Sequence, residues 1–231
     1  MREFPAAMPP APNPTLRQAW LASLAASPVE VSASRGAAAD AAGWRALADA
    51  DLRSRPAPVR QAHAVRLAEA GLATAHALGA RRVGLYSPVG AEVDTRELAN
   101  RLLANGFLLA YPRLRPRGEA LDPAACDGPT FLAPRPRTRL LEPTGPLLDP
   151  QALDLVFVPA QLVRGDLARL GRPDDLLDAY LAGLRPDCVV VGVAAAACVL
   201  DWTPRSPSDR RVTAVCTEHG LFGPAAQKAT A

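Results

Sequence analysis

Apolar residues near the start of the chain recur with the period of an α-helix. After Thr15, a candidate N-cap, Leu16, Trp20 and Leu24 fall on one helical face. Further helices are predicted over 37–51 (alanine-rich), over 59–78, from the capping-box pair Asp94 and Glu97, and from Asp174 and Asp175, with Leu177, Leu181 and Leu184 facing inward. The helical pattern therefore extends over much of the chain.

Short apolar runs alternate with these helices and predict strands. The runs are 83–86, 107–111, 155–158, 189–193 and, as the last strand, 212–216. Residues 112–150 contain many prolines and glycines and are predicted to be loops with an inserted hairpin. Strands rich in Val and Leu that alternate with helices favour a three-layer α/β fold, in which a mainly parallel sheet has helices on both faces.

Length and composition are consistent with one domain. The chain has 231 residues, of which 49% are hydrophobic, and a net charge of +3. We expect a proline-rich disordered leader over 1–14, a single domain over 15–222 and a flexible tail over 223–231. The longest uncharged run, 188–200, has 13 residues and is too short to span a membrane. A charge this small does not indicate a nucleic-acid partner.

Cysteine and histidine positions argue against a metal site built from these residues. The four cysteines form no C-x-x-C pair, and Cys188 and Cys216 are expected in the core. His63 and His76 lie among alanines and are expected to be partly buried surface residues. The first residues lack the apolar run of a signal peptide, so a cytoplasmic protein is expected.

Arginine is concentrated in one proline-rich stretch. Its members are Arg113, Arg115, Arg117, Arg135, Arg137 and Arg139. Such a patch could attract anions such as nucleotides or polyglutamate tails, or it could be a solvated loop. Lysine occurs once, at Lys228, so a phosphate site would depend on arginine, backbone N–H groups or metal.

Candidate ligand-binding residues follow the predicted strands, because ligands of parallel sheets bind beyond the carboxyl ends of the strands. Glu92 could accept hydrogen bonds from a polar ligand, or be an acid favoured by the helix dipole. Residues 164–172 could form an anion site before a helix, or an exposed charged loop. Asp178 and Asp209 could together hold Mg²⁺ through water.

Taken in chain order, these motifs resemble the 5-formyltetrahydrofolate cyclo-ligase family over about residues 15–220. The matching positions are Arg17, Tyr86-Ser87-Pro88, Glu92-Val93-Asp94-Thr95, Tyr111-Pro112-Arg113, Glu142-Pro143, Val158-Pro159, Arg169-Leu170-Gly171, Asp178, Gly192-Val193, Pro204, Asp209 and Thr217-Glu218. The spacing from Pro159 to Glu218 fits the family without a gap.

The resemblance implies a NagB/RpiA-like fold and an activity. The family uses ATP and Mg²⁺ to convert 5-formyltetrahydrofolate, a reduced folate, to 5,10-methenyltetrahydrofolate by phosphorylating the formyl oxygen, after which N10 attacks. By resemblance, the folate would be bound by Glu92, Tyr86 and Arg172, the nucleotide by Arg17, Arg169, Leu170 and Gly171, and magnesium by Asp178 and Asp209. A monomer without membrane or nucleic-acid partners is expected.

The chain departs from the family pattern in the loop that would hold phosphates. Residues 172–177 replace alternating glycines and two tyrosines, and Leu167 stands where the family has glycine. Pro173 removes a backbone donor, and Asp174 and Asp175 add negative charge. Two functions therefore remain open: ATP-dependent ring closure, and a non-catalytic descendant that binds a folate or another anion.

Overall fold

A computed structural model describes residues 13–30, 41–135, 141–170, 176–201 and 210–224. The helices are α1 (Pro14–Ala25), α2 (Ala41–Ser54), α3 (Ala57–Ala77), α4 (Arg96–Ala104) and α5 (Leu176–Ala182). The strands are β1 (Arg82–Gly84), β2 (Leu108–Leu114), β3 (Leu121–Cys126), β4 (Leu132–Pro134), β5 (Leu141–Pro143), β6 (Leu155–Pro159), β7 (Leu162–Arg164), β8 (Ala168–Leu170), β9 (Val189–Val193), β10 (Val199–Leu200), β11 (Arg210–Arg211), β12 (Ala214–Thr217) and β13 (Gly220–Phe222). Three-residue 3₁₀ helices cover Pro129–Phe131, Pro150–Ala152 and Ala196–Cys198.

Seven strands form the central sheet in the order β13-β12-β9-β6-β1-β2-β3. The five inner strands are parallel, and the edge strands β13 and β3 are antiparallel to their neighbours. A smaller sheet has the order β10-β7-β8-β11, and β4 pairs with β5 as a hairpin. The predicted, mainly parallel α/β fold is confirmed.

Both faces of the central sheet are covered. Along β6, Phe157 packs into the core beside Leu67 of α3 and Leu98 of α4. Val156, which points to the opposite face of the strand, packs with Tyr180 of α5. This alternation places helices on both sides of the sheet and gives the three predicted layers.

A glycine sets the distance between α3 and α4. A Cβ built at Gly71 would lie 2.7 Å from Cδ1 of Leu98 and 3.0 Å from Cζ of Phe157. Real Cβ atoms do not approach this closely, so a side chain at Gly71 would require the buried side chains of Leu98 and Phe157 to shift. Because these helices flank the loop after β1, their close packing also fixes that loop.

Some sequence-based expectations are wrong at the edges of the fold. The run 212–216 is not the last strand, because β13 follows it. β13 has only three residues and begins with glycine, so its sequence shows no pattern that predicts a strand. Within 112–150, β3 contains Pro123, which an edge strand tolerates. Residues 164–170 are not simply an exposed loop, because β7 ends at Arg164, β8 covers 168–170, and both strands are buried; residues 171 and 172 lie outside the described ranges.

The predicted capping box at the start of α4 is also wrong. Thr95 occupies the N-cap position, and Asp94 accepts a hydrogen bond from the Arg96 N–H at 2.9 Å. Glu97 pairs with Arg101, one turn further on, instead of reaching back. Ion pairing along the helix surface thus takes the place of the predicted reciprocal cap.

The first helix packs on the same body as the rest. Trp20 and Leu24 of α1 contribute to the core that contains α3 and α4, and Val29 donates a backbone hydrogen bond to Gly223 at 3.1 Å. Most of the predicted leader and tail lie outside the described residues. Within the described part of the chain, no helix combines the length and apolarity needed to cross a membrane.

Candidate functional site

Three pockets meet at the loop over residues 87–95, which follows β1 at the carboxyl edge of the parallel strands. The sheet pocket, of about 660 Å³, is lined by Arg45, Asp49 and Arg53 of α2 and by Ala194 and Ala195 after β9. Its floor is therefore formed where parallel strands end, the usual position of a ligand in such a fold.

The other two pockets lie on either side of the same loop. The helix pocket, of about 510 Å³, is lined by Arg55 at the junction of α2 and α3 and by Arg60 and His63 of α3. The apolar pocket, of about 170 Å³, is walled by leucines and prolines: Leu114, Leu121, Leu141, Leu176, Leu177, Pro112 and Pro159. The helix pocket has the size that is typical of small-molecule sites, and the apolar pocket is smaller.

Glu92 lines all three pockets. Its Oε2 accepts a hydrogen bond from the Val89 N–H at 2.9 Å, across a turn in which Gly90 has a φ of +69°. That backbone conformation favours glycine and lets the chain turn back on itself. The carboxylate is thus held at the meeting point of the pockets by its own loop.

Tyr86 anchors the two ends of this loop. Its hydroxyl donates to the Val93 carbonyl at 2.9 Å, and the Thr95 hydroxyl donates to the Tyr86 carbonyl at 2.8 Å. Burial raises the pKa of Tyr86 well above its ordinary value, so the hydroxyl stays protonated and remains a donor. Tyr86 lines the sheet and apolar pockets, and its hydroxyl binds the loop that carries Glu92.

The apolar pocket contains several hydrogen-bond acceptors. Both carboxylate oxygens of Glu142 lie 3.1 Å from Nη1 of Arg135, and one accepts the Leu114 N–H at 3.2 Å. Gln161 and Glu92 line the same pocket, as does the guanidinium of Arg169. An apolar cavity with a few fixed polar groups suits a planar heterocycle that carries N–H groups.

An ion pair joins Arg55, which lines the helix pocket, to Glu218. Nη1 of Arg55 donates to Oε1 of Glu218 at 2.8 Å, and the Ala196 N–H donates to Oε2 at 2.9 Å. Burial alone would raise the pKa of Glu218, but the Ala196 N–H and Arg55 outweigh it, so the pKa lies below its usual value. Glu218 is therefore an anion bound to α2–α3 and to the loop after β9.

His63 lies beside this ion pair, with Nδ1 3.8 Å from Oε2 of Glu218. Its side chain is 3% exposed, so the expectation of a partly buried surface residue is wrong. Burial lowers the pKa of His63 to about 4, even though Glu218 favours the charged form, and the imidazole is neutral at physiological pH. Sequence analysis missed Arg55 and misread His63, because the contact with β12 that buries α3 is long-range.

Three of the four described arginines of the proline-rich stretch bind groups of the protein. Arg115 pairs with Asp122 at 2.8 Å, Arg113 donates to the Gly145 carbonyl at 2.9 Å, and Arg135 pairs with Glu142. These contacts hold β3, β4 and β5 together. Arg137 and Arg139 lie outside the described residues. Arg113, Arg115 and Arg135 therefore have a structural role.

The sequence of residues 41–218 matches the 5-formyltetrahydrofolate cyclo-ligase family. The chain belongs to this family. The structure is similar to a 5,10-methenyltetrahydrofolate synthetase from Aquifex aeolicus, with a TM-score of 0.67 and 22% identity over 83% of this chain and 96% of that one. It is also similar to a 5,10-methenyltetrahydrofolate synthetase from Mycoplasma pneumoniae, with a TM-score of 0.63 and 16% identity over 77% and 98% of the two chains. Curated protein sequences give no significant match.

Two residues that the cyclo-ligase resemblance assigns to different ligands contact each other. The guanidinium of Arg169, 1% exposed, donates to the carboxylate of Asp178 at the start of α5, and its Nη1 donates to the Pro159 carbonyl at 3.2 Å. Leu170 is buried next to Arg169 in β8. Within the described ranges, no cluster of three histidine, cysteine or acidic residues could hold a metal.

Other residues assigned by resemblance lie elsewhere. Arg17 is on α1, before the cyclo-ligase match begins, and its charge acts on Cys188 at the amino end of β9, opposite the edge where Glu92 lies. Arg17 lines none of the three pockets described above. The structure therefore does not bring Arg17 to Glu92. Gly171, Arg172 and Asp209 lie outside the described residues.

Proposed function

We propose that this protein converts 5-formyltetrahydrofolate to 5,10-methenyltetrahydrofolate with ATP and magnesium. The observation that carries the proposal is the position of Glu92, a carboxylate that borders all three pockets and is fixed by the Val89 N–H. Family membership supports the reaction class. The reaction needs two ligands to meet at one point, and Glu92 marks that point.

The linings of two pockets suit different ligands. We assign the reduced pterin ring to the apolar pocket, because Glu142 and Gln161 offer acceptors to its N–H groups. ATP is assigned to the sheet pocket, because Arg45 and Arg53 can neutralise phosphate oxygens. Tyr86, Glu92 and Gln161 border both pockets, so the formyl group and the terminal phosphate would meet beside them.

The proposed chemistry activates a poor electrophile. The formyl oxygen attacks the terminal phosphorus and displaces ADP, and the N5 lone pair gives an iminium phosphate. N10 then attacks the formyl carbon, the carbon–oxygen bond breaks, phosphate leaves with the former formyl oxygen, and N10 loses its proton. The Glu92 carboxylate stabilises the positive charge and accepts a hydrogen bond from N10.

Magnesium would neutralise charge on the ATP phosphates, and Asp178 and Asp209 remain its predicted ligands. The carboxylate of Asp178 faces the guanidinium of Arg169, and no group of three acidic, histidine or cysteine side chains among the described residues could hold a metal ion. The described residues alone therefore do not fit a magnesium site, and no step is assigned to the ion. Arg169 likewise remains a predicted nucleotide ligand, together with Leu170 and Gly171, and Arg172 a predicted folate ligand.

The experiment follows the near-ultraviolet absorbance of the methenyl product with purified protein, 5-formyltetrahydrofolate, ATP and magnesium. Product that requires every component supports the proposal. A folded protein that is stabilised by the folate but forms no product is the non-catalytic descendant. Failure of the folded protein to bind any reduced folate would remove both functions.

A further inference from the structure

Gln161 lies where the sheet and apolar pockets adjoin, directly after the strand β6. Its Nε2 donates to Oδ1 of Asp49 on α2 at 3.0 Å. Its Oε1 is buried and has no hydrogen-bond partner within the described part of the chain. A buried acceptor without a partner costs free energy, and a ligand that supplies a donor recovers it.

Asp49 fixes the orientation of this amide. A carboxylate only accepts hydrogen bonds, so the nitrogen of Gln161 must face Asp49 and the oxygen must face away from it. Turning the amide over would place two acceptors against each other. The orientation is therefore set by chemistry, and Oε1 faces away from Asp49, a residue that lines the sheet pocket and not the apolar pocket.

We infer that Oε1 of Gln161 accepts a hydrogen bond from an N–H of the reduced pterin ring and so contributes to the choice of substrate. This inference rests on the proposed function and adds one recognition contact to it. The oxygen faces away from Asp49 and so from the sheet pocket assigned to ATP, which puts its partner on the pterin side of the boundary. Asp49 is a positioning residue, because it acts on the ligand only through Gln161.

The experiment measures the dissociation constants of 5-formyltetrahydrofolate and of ATP separately, by calorimetry, for the wild type and three variants. Gln161→Leu keeps the approximate volume and removes the acceptor. Asp49→Asn keeps a side chain that can hydrogen-bond Gln161 in either orientation. Gln151→Leu is the matched control, because Gln151 is exposed and donates to the Gly183 carbonyl away from the pockets at 2.6 Å.

For Gln161→Leu we expect the dissociation constant of the folate to rise about tenfold and that of ATP to stay within about twofold. Asp49→Asn should weaken folate binding less than Gln161→Leu does. The control Gln151→Leu should bind folate and ATP with wild-type affinity. A fully folded Gln161→Leu protein with wild-type folate affinity, or one that loses ATP affinity instead, overturns the inference and leaves the proposed function standing. A wild type that does not bind the folate overturns both. If Gln161→Leu does not fold, unchanged folate affinity in Asp49→Asn overturns the inference, and weakened affinity supports it.

Discussion

Nη1 of Arg55 and Oε1 of Glu218 lie 2.8 Å apart although 163 positions separate the two residues in the chain. The contact ties the junction of α2 and α3 to the end of β12, and Oε2 of Glu218 also accepts the Ala196 N–H. One carboxylate thereby joins a wall of the helix pocket to the loop after β9.

Replacement of Arg55 should show how much this contact stabilises the fold. Arg55→Met leaves Glu218 without its guanidinium partner, and we expect the free energy of unfolding to fall by about 2 kcal/mol, less than for a fully buried pair. Denaturant unfolding measures it. Arg101→Met is the control: its partner Glu97 is exposed, so the change should stay under about 1 kcal/mol. Equal losses of unfolding free energy in both variants would contradict a larger contribution of the Arg55–Glu218 pair than of an exposed ion pair.

Stability should depend on pH through His63. The pKa of His63 is about 4 in the folded protein and about 6.5 in the unfolded chain, so only the unfolded chain takes up this proton between those values. The stabilising contribution is complete above about pH 6.5 and is lost as the pH falls toward 4. Burial dominates this lowering of the pKa, the charge of Glu218 opposes it, and Arg55 and His219 add to it.

The measurement compares unfolding free energies of the wild type and His63→Asn at pH 7 and pH 5. The wild type should lose about 2 kcal/mol more than the variant on this change of pH. The lowered pKa of Glu218 acts in the same direction but mostly below this range, so it contributes little to the difference. Identical pH profiles would show that His63 takes up its proton equally well in the folded chain.

Leu167 should reverse the usual order of alanine and glycine variants. Its φ is +64°, a conformation that favours glycine, and it is 2% exposed in the core beside Val163. Both small variants lose the buried leucine side chain, which costs about 2–5 kcal/mol. Leu167→Ala also keeps the strained backbone, which costs about 1 kcal/mol that glycine avoids.

We therefore expect Leu167→Gly to be at least as stable as Leu167→Ala in thermal unfolding. At an ordinary backbone position, the glycine variant is the less stable one by about 0.5–1 kcal/mol. Finding that ordinary order here would contradict the left-handed conformation.

The Arg169–Asp178 contact should be required for folding stability. Asp178→Asn leaves the guanidinium of Arg169, 1% exposed, without its countercharge, and we expect a loss of about 3 kcal/mol or more in the absence of magnesium and ATP. Asp209→Asn should instead reduce magnesium-dependent turnover and leave the unfolding curve nearly unchanged. An Asp178→Asn protein as stable as the wild type would show that the ion pair is dispensable for folding. It would favour magnesium binding as the only role of Asp178.

Glu92 should matter for turnover more than for stability. Glu92→Gln keeps an oxygen that can accept the Val89 N–H, but it removes the charge beside the reacting carbon. We expect kcat/KM to fall about a hundredfold or more. Glu97→Gln, on the exposed face of α4, is the matched control and should keep wild-type turnover.

The architecture could be predicted because its pattern is local. The runs that became β6 and β9 are continuous and apolar, as buried parallel strands require, and the helices between them follow the 3.6-residue period. β13 and β3 were missed because edge strands are short and tolerate glycine and proline. Helix α2 extends to Ser54, three residues beyond the predicted end, since no breaker stands before Pro56.

The candidate site was predicted in part. Glu92 could be found because it follows a strand and belongs to a family motif, and Glu218 follows the end of β12. Arg55, Asp49 and Gln161 could not, because each acquires its role from a partner far away in the sequence. Long-range pairing leaves no periodic signal in the residues themselves, so only the folded chain shows it.

The most direct test of the proposed reaction traces one atom. 5-Formyltetrahydrofolate labelled with a heavy oxygen isotope in the formyl group is converted by the wild-type protein with ATP and magnesium, and the released phosphate and water are analysed. Phosphorylation of the formyl oxygen beside Glu92 predicts that the label appears in inorganic phosphate, in an amount equal to the methenyl product. Methenyl product with the label in water would contradict the account.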